Sequence, residues 1–141
     1  MFMGEYNHTL DAKGRLIMPA KFREQLGDQF VVTKGLDGCL FVYPMSEWQD
    51  IEERFRKIPQ TTRDARKFAR FFFSGAAACE ADKQGRVLIP APLREHADLK
   101  KDVILVGVVN KIEIWDAAAY REKEMSTSDY QALAQELSQQ R

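Results

Sequence analysis

The sequence predicts a mainly β protein with peripheral helices, that is, an α+β fold built from two similar halves. First, residues 11–23 return as residues 82–94, at a constant offset of 71 positions. Second, a glycine turn inside each repeat separates two short segments that are rich in β-forming residues. Third, apolar stripes at helical spacing lie between the two repeats and after the second one.

Each half contains four segments of strand character. Gly14 and Gly85 lie where the chain turns between the first two segments, since glycine permits a positive φ. Pro19 and Pro90 end the second strand of each half because proline has no N–H group for the ladder. The predicted strands are residues 6–10, 16–18, 30–34 and 40–43, and then 77–81, 87–89, 103–108 and 112–115.

A short helix follows each of these prolines. In the first half it ends before Gly27, because glycine is favoured just past a helix C-terminus. In the second half Pro92 suits the first helical turn. The last two strands of each half are predicted to form a hairpin, through a strong Asp-Gly turn signal at 37–38 and a weaker Asn-Lys signal at 110–111.

A further helix follows each half. Residues 46–49 are Ser-Glu-Trp-Gln, a capping-box pattern that predicts a helix start at the serine. The corresponding helix in the second half opens at Asp116, with Trp115 and Tyr120 placed as a hydrophobic staple. A C-terminal helix is predicted to begin at Ser128.

After a break at residues 59–62, an apolar stripe predicts a second connecting helix that runs to about residue 73. Its remaining faces carry four cations, Arg63, Arg66, Lys67 and Arg70. Such charge is typical of a solvated helical face, which we favour over a contact with DNA. For the three phenylalanines at 71–73 we favour a place in the core or a subunit interface over base stacking.

Composition limits the class of protein. A chain of 141 residues with 45% hydrophobic residues suits one compact domain or two small ones. A half of about 70 residues is near the size at which an isolated core is marginal, so we expect the halves to share one core, with an oligomer as a way to complete it. No apolar run approaches the roughly 18 to 20 residues that span a bilayer, and residues 1–5 lack the pattern of a signal peptide. The sequence therefore predicts a cytoplasmic protein with no membrane partner.

The sequence predicts neither a cofactor nor a metal, and no enzymatic activity. Cys39 and Cys79 are far apart and form no metal-ligand spacing, so two ordinary buried or half-buried thiols are expected. His8 and His96 are the only histidines. Neither stands with a recognisable nucleophile, and the chain has no Gly-rich phosphate loop. We therefore expect no small-molecule substrate.

Charge is concentrated in the repeats. Lys plus Arg and Asp plus Glu each total 21, so net charge predicts no polyanionic partner. Each repeat nevertheless has a local excess of cations over its single aspartate, Asp11 or Asp82. These cations are Lys13, Arg15, Lys21 and Arg23 in the first repeat, and Lys83, Arg86 and Arg94 in the second. A neutral protein with two such loops can present one positive face.

The spacing Asp-x-x-Gly-Arg has two interpretations. As a structural turn, the aspartate pairs with the arginine and fixes the loop, although exposed pairs contribute only about 0 to 1 kcal/mol. As a binding loop, the aspartate orients Arg15 or Arg86 so that its planar guanidinium meets phosphate or the O6 and N7 atoms of guanine. Two copies at a fixed separation suit a repetitive polymer such as duplex DNA.

At these residues the chain resembles a known family. The order Asp-x-x-Gly-Arg, aliphatic run, proline and short helix with Phe-Arg or Leu-Arg is similar to the SpoVT/AbrB DNA-binding domain. Two copies in a chain of this length resemble the MraZ family. Residues 70–76 before the second repeat, Gly107 and residues 114–116 extend the resemblance over the whole chain.

The resemblance implies a fold and a function. The fold is a double-split β-barrel made of two swapped-hairpin repeats in one chain, with ring-shaped homo-oligomers. The function is that of a transcriptional regulator, nucleoid-associated, which binds short direct repeats in the promoter of its own division and cell-wall gene cluster. On this basis residues 4–50 and 75–120 are the two repeats, 51–74 a helical connector and 121–141 the C-terminal helix.

The family's Asp-x-x-x-Arg residues fall on Asp11 with Arg15 and on Asp82 with Arg86. Charge and proximity add Lys13, Lys21, Arg23 and Lys83 to the predicted DNA-binding set. Gln84 stands where the first loop has Lys13, so the second loop is expected to hold phosphate less firmly or to read a base edge. The alternative is an AbrB-like protein-interaction or antitoxin-type module, although such chains usually carry one repeat and a long disordered tail.

Overall fold

The computed structural model describes residues 1–140, which form eight strands and six helices. The first half contains β1 (Phe2–Thr9), β2 (Arg15–Ile17), α1 (Ala20–Leu26), β3 (Phe30–Lys34), β4 (Leu40–Pro44) and α2 (Met45–Arg56). After α3 (Arg63–Ser74), the second half contains β5 (Ala77–Cys79), β6 (Arg86–Leu88), α4 (Ala91–His96), β7 (Asp102–Val109), β8 (Ile112–Asp116) and α5 (Ala117–Lys123). The last element is α6 (Thr127–Ser138). Arg141, the end of the predicted C-terminal segment, lies outside the described residues.

The strands form two antiparallel sheets, and the two halves exchange strands. The larger sheet has the order β1-β7-β8-β4-β3-β5, and β2 and β6 pair as a two-stranded ribbon. Thus β1 of the first half lies beside β7 of the second, and β5 of the second half lies beside β3 of the first. No pairing joins β1 to β5 within residues 1–140, so the larger sheet is open. The predicted α+β content with two tandem halves is confirmed, but the expectation of a mainly β protein is wrong, because the helices contain more of the described residues than the strands.

The central strands of the larger sheet, β3, β4, β7 and β8, are largely buried on both faces. Successive residues of a strand point to opposite faces, so Val31 and Val32 of β3 belong to two different apolar clusters. The cluster around Val32 includes the inner residues of the ribbon and of α1 and α4. The cluster around Val31 includes Trp48 of α2 and Phe72 of α3. The ribbon and the connecting helices therefore lie on opposite sides of the sheet.

Several predicted details are confirmed by their contacts. The side chain of Asp116 caps α5 by accepting a hydrogen bond from the N–H of Ala119 at 3.3 Å. The rings of Trp115 and Tyr120 pack with their centroids 5.7 Å apart. Cys39 is buried and Cys79 is half-buried.

The phenylalanines at 71–73 divide between core and surface. Phe72 is buried and Phe73 is half-buried, as expected for core residues. The Phe71 side chain is 53% exposed, and Nζ of Lys34 lies 3.7 Å from its ring centroid. Only part of this segment therefore belongs to the core.

Two predicted helix starts are wrong. The helix that was expected to begin at a Ser46 cap begins at Met45, directly after the Pro44 that ends β4. No side-chain hydrogen bond caps it, because Ser46 already lies inside the first turn. The C-terminal helix begins at Thr127 instead of Ser128, and the hydroxyl of Ser126 caps it by accepting from the N–H of Asp129 at 3.1 Å.

Among the described residues, no helix combines the length and the apolar character that a membrane span requires.

Candidate nucleic-acid interface

The turn between β1 and β2 is held by the carboxylate of Asp11. One carboxylate oxygen, Oδ1, accepts hydrogen bonds from the backbone N–H groups of Lys13 and Arg15, each at 2.9 Å. The other, Oδ2, accepts from Nε of Arg15 at 2.7 Å. Gly14 completes the turn at φ 84°, and its N–H donates to the Asp11 carbonyl at 3.0 Å. The sequence Asp-x-x-Gly-Arg is thus a self-contained hydrogen-bonded unit.

The second turn repeats this geometry. Asp82 accepts from the backbone N–H groups of Gln84 and Arg86, each at 2.9 Å, and from Nε of Arg86 at 2.7 Å. Gly85 lies at φ 82°. Because both loops use the same bonds, Gln84 occupies the position of Lys13 without changing the turn.

These hydrogen bonds keep both aspartates ionised. The backbone N–H of Arg15 is the largest influence on Asp11 and lowers its pKa from the ordinary 3.8, and the Arg15 guanidinium adds to the effect. The pKa of Asp82 is lowered in the same way, first by the backbone N–H of Arg86. At neutral pH each loop therefore has a permanent acceptor that orients its arginine.

Each arginine keeps part of its guanidinium available. The side chains of Arg15 and Arg86 are 26% and 34% exposed. Their Nε atoms are occupied by the aspartates, whereas their terminal nitrogens have no hydrogen-bond partner within residues 1–140. A guanidinium fixed through Nε can still offer two parallel N–H donors to a planar acceptor.

The ribbon places both arginines on one outward face. In its register Arg15 lies opposite Leu88, and Arg86 lies opposite Ile17. The central pair, Leu16 with Val87, is buried in the core beneath. Since neighbouring strand residues alternate between faces, the outward face consists of Arg15, Ile17, Arg86 and Leu88.

Two further arginines hold the loops from behind. Nε of Arg23 in α1 donates to the carbonyl of Met18 at 3.0 Å, and its guanidinium lies over Gly85, where an added Cβ would be 2.9 Å from the guanidinium carbon. Arg94 in α4 donates to the carbonyl of Ile89 at 2.8 Å and lies over Gly14 in the same way. Each half therefore supports the loop of the other half.

The sequence predicts Arg23 as a DNA-binding cation and gives no such role to Arg94. The sequence does contain a signal that the two arginines share one role. Residues 23 and 94 are equivalent positions of the two repeats, 71 residues apart like the loops. Arg23 and Arg94 are both half-buried, which sets Arg23 apart from the exposed Lys13, Lys21 and Lys83.

The four cations of α3 lie away from the outward face of the ribbon. Arg63, Arg66, Lys67 and Arg70 are exposed, as expected for a solvated face. Phe72 of the same helix packs in the cluster on the far side of the sheet from the ribbon. The fold therefore does not bring the α3 cations together with Arg15 and Arg86.

No group of three or more His, Cys, Asp or Glu side chains is placed to hold a metal ion in the part of the chain that the structure describes. Nε2 of His96 is buried without a hydrogen-bond partner, beside the Phe71 ring at a centroid distance of 5.6 Å.

Comparison with known proteins identifies the family. The family model described as "MraZ protein, putative antitoxin-like" matches residues 1–71 and again residues 72–140. The chain belongs to the MraZ family. The predicted resemblance to the MraZ family is thereby confirmed, including its two repeats.

Relatives in this family are similar along almost the whole chain. The transcriptional regulator MraZ of Moorella thermoacetica is 58% identical over 97% of this chain and 96% of its own length. The protein of the same name from Caldanaerobacter subterraneus is 55% identical, with the same coverage. That of Desulfitobacterium hafniense is 58% identical over 96% of this chain and 95% of its own length. The MraZ family is a family of transcriptional regulators, so the prediction that this chain is not an enzyme is confirmed.

A glycine substitution tests whether Arg94 of the second half packs over the loop of the first half. A Cβ on Gly14 would overlap the Arg94 guanidinium, whereas Gly38, at φ 94°, faces open space. Gly38→Ala should lower the free energy of unfolding by about 1 to 2 kcal/mol, because alanine is strained at positive φ. Gly14→Ala should cost about 1 kcal/mol more, because the flexible Arg94 side chain must move away and lose its hydrogen bond to the Ile89 carbonyl. Urea denaturation measures both values, and in an Arg94→Ala background they should become equal.

Acid titration tests the role of the aspartates. A lowered pKa in the folded state contributes stability that is complete above the ordinary carboxyl value of 3.8 and is lost as the pH falls through the lowered value. The NMR shifts of the Lys13 and Arg15 amides should therefore follow a titration whose midpoint lies below the ordinary value of 3.8. Asp11→Asn should abolish that transition in the first loop and leave the second loop unchanged. A transition of the first loop at pH 5 to 6 would contradict this assignment.

Proposed function

We propose that this protein is a sequence-specific DNA-binding transcriptional regulator whose DNA contacts come from the outward face of the β2–β6 ribbon. The observation that carries the proposal is the pair of oriented guanidiniums, Arg15 and Arg86, on one face with their terminal nitrogens available. They are diagonal neighbours on an antiparallel pair, a separation of about 7 to 8 Å between backbone positions. That spans roughly two base-pair steps of 3.4 Å.

The shape of the ribbon supports entry into the major groove. A major groove about 12 Å wide admits a two-stranded β-ribbon. Arginine is the commonest specific partner of guanine there, through paired hydrogen bonds to O6 and N7. Because Asp11 and Asp82 fix the arginines before DNA arrives, little side-chain entropy is lost on binding.

The exposed lysines suit the phosphate backbone. Lys13 and Lys83 lie in the loops that precede β2 and β6, Lys21 lies in α1, and all three are exposed, so each can neutralise a phosphate. We assign Arg23, with Arg94, to positioning of the loops, since their guanidiniums are already engaged with the protein. Gln84 replaces Lys13 in the second loop, and we propose that this loop depends less on phosphate and more on Arg86.

The proposed target is a set of short direct repeats in the promoter of the protein's own division and cell-wall gene cluster. A single ribbon makes few contacts and is expected to bind weakly. Several copies on successive repeats gain affinity through effective concentration. We therefore propose a ring-shaped homo-oligomer, acting in the cytoplasm at the nucleoid.

Exposed apolar surface supports self-association. Helix α6 buries no residue, and Tyr130, Leu133 and Leu137 of its apolar stripe are 64%, 38% and 53% exposed. Such a stripe normally needs a partner surface. Phe68 and Phe71 of α3 are about half exposed as well.

We also propose the finer fold and domain boundaries that the family resemblance implies. The ribbon and the larger sheet would together be the two parts of a double-split barrel. Residues 4–50 and 75–120 would be the SpoVT/AbrB-like repeats, with residues 51–74 as the helical connector and residues 121–141 as the C-terminal helix. The exchange of β1 and β5 between the halves supports this proposal.

Arg15→Ala tests the DNA interface. The loss of one bidentate contact, about 1 to 3 kcal/mol, should weaken binding about 5- to 150-fold. Oligomer size and melting temperature should change little. Fluorescence anisotropy with the protein's own promoter repeats and with scrambled repeats, at two salt concentrations, measures the effect. Lys67→Ala on α3 is the matched control and should bind as the wild type.

Two outcomes would contradict the proposed interface. An equal loss of affinity in Lys67→Ala would move the DNA contact to α3. If the wild type does not prefer intact repeats over scrambled DNA, the alternative of an AbrB-like protein-interaction or antitoxin-type module would replace the regulator, a possibility that the family's antitoxin-like description also favours.

Leu133→Glu tests self-association. Glutamate is a good helix former but places a charge in the apolar stripe, so α6 should remain helical while the oligomer becomes smaller. Gln135→Glu adds the same charge off the stripe and should leave the size unchanged. Light scattering after gel filtration measures the mass. Affinity for several repeats should fall more than affinity for one, whereas an unchanged mass in Leu133→Glu would exclude the stripe from the interface.

A further inference from the structure

The outward face of the ribbon carries two exposed aliphatic side chains beside its two arginines. Ile17 is 46% exposed and Leu88 is 56% exposed. A single exposed aliphatic residue needs no explanation. These two, however, occupy equivalent positions of the two repeats, 71 residues apart. Both are exposed, whereas the neighbouring strand residues Leu16 and Val87 are buried in the core.

The register sets each aliphatic residue beside a guanidinium. Leu88 lies directly opposite Arg15, and Ile17 lies directly opposite Arg86. Directly opposed residues have their Cβ atoms about 4.5 to 5.5 Å apart. The four side chains therefore form a small square with the arginines on one diagonal and the aliphatic residues on the other.

Only one base presents an apolar group at the floor of the major groove. Thymine exposes its C5-methyl there, whereas the edges of the other bases offer hydrogen-bond donors and acceptors. A ribbon whose arginines reach guanine would bring Ile17 and Leu88 against neighbouring base edges. A polar edge against these side chains would lose its water without gaining a hydrogen bond.

We propose that Ile17 and Leu88 are specificity-determining residues that recognise thymine methyl groups next to the guanines bound by Arg86 and Arg15. This inference rests on the proposed function, since it requires the ribbon face to meet the major groove. It predicts that the preferred repeat contains a guanine adjacent to a thymine or within one step of it. Ile17 with Arg86 and Leu88 with Arg15 have the same chemistry, so each pair would recognise the same combination of a guanine and a neighbouring thymine.

The test compares thymine with uracil, which lacks only the C5-methyl. The probes are two duplexes of the protein's own promoter repeats, one normal and one with every thymine of the repeats replaced by uracil. The wild type should bind the uracil duplex about three- to five-fold more weakly for each contacted thymine, the value of one buried methyl group. Fluorescence anisotropy measures the affinities of the full-length protein.

Variants of the protein test which residues cause the difference in affinity between the two duplexes. Ile17→Ala with Leu88→Ala should bind the normal duplex as weakly as the wild type binds the uracil duplex, and should no longer distinguish the two. Leu36→Ala removes an aliphatic side chain that is 64% exposed outside the ribbon and should keep the full difference. Arg15→Ala should weaken both duplexes and retain discrimination through Ile17.

Three results would overturn the inference. Equal binding of both duplexes by the wild type would exclude methyl recognition while leaving the DNA-binding function intact. A smaller oligomer in the Ile17→Ala, Leu88→Ala variant would assign the pair to a contact between copies of the chain. If the wild type binds the normal repeats no better than scrambled DNA, both the proposed function and this inference fail.

Discussion

The exchange of strands between the two halves is the constraint on which the rest of the structure depends. Strand β2 finds its ladder partner in β6, and β1 and β5 each complete the larger sheet beside a strand of the other half. An isolated half would leave these backbone groups unpaired and would expose the inner side chain of its ribbon strand, Leu16 or Val87. The core and the candidate interface therefore form together, because the same ribbon supplies buried side chains on one face and arginines on the other.

The exchange of strands also explains how a small number of contacts holds each loop in place. Each turn is closed by its own aspartate and is covered from behind by an arginine of the other half. Hydrogen bonds of the ribbon continue into the turns, since Met18 donates to the carbonyl of Gly85 at 2.9 Å and Ile89 donates to that of Gly14 at 3.0 Å. Arg15 and Arg86 are consequently fixed before any ligand binds, which favours specific contacts over loose electrostatic ones.

Local sequence signals were accurate where a feature depends on a few neighbouring residues. The Asp-x-x-Gly-Arg turns, the Asp-Gly hairpin and the cap of α5 at Asp116 all form as predicted. The prediction of a Ser46 cap failed because the preceding strand decided where the helix begins. Helix α2 starts at Met45 because β4 ends at Pro44, so the capping-box serine cannot act as a cap. In the β7–β8 turn, Val109 takes a positive φ of 72°, which a β-branched residue rarely adopts and which its sequence therefore does not signal.

The sequence by itself determined the two halves, the chemistry of their turns and the identity of Asp11, Arg15, Asp82 and Arg86 as a repeated unit, because these features rest on residues close together in the chain. Only the tertiary structure decided which strands pair across the halves, and with that pairing which side chains share a face. Arg15, Ile17 and Leu88 share an exposed face because strands from the two halves pair. Arg23 is directed into the protein, over Gly85 of the other half. These contacts join residues about 60 to 75 positions apart. Such contacts depend on register and packing, which no local pattern specifies.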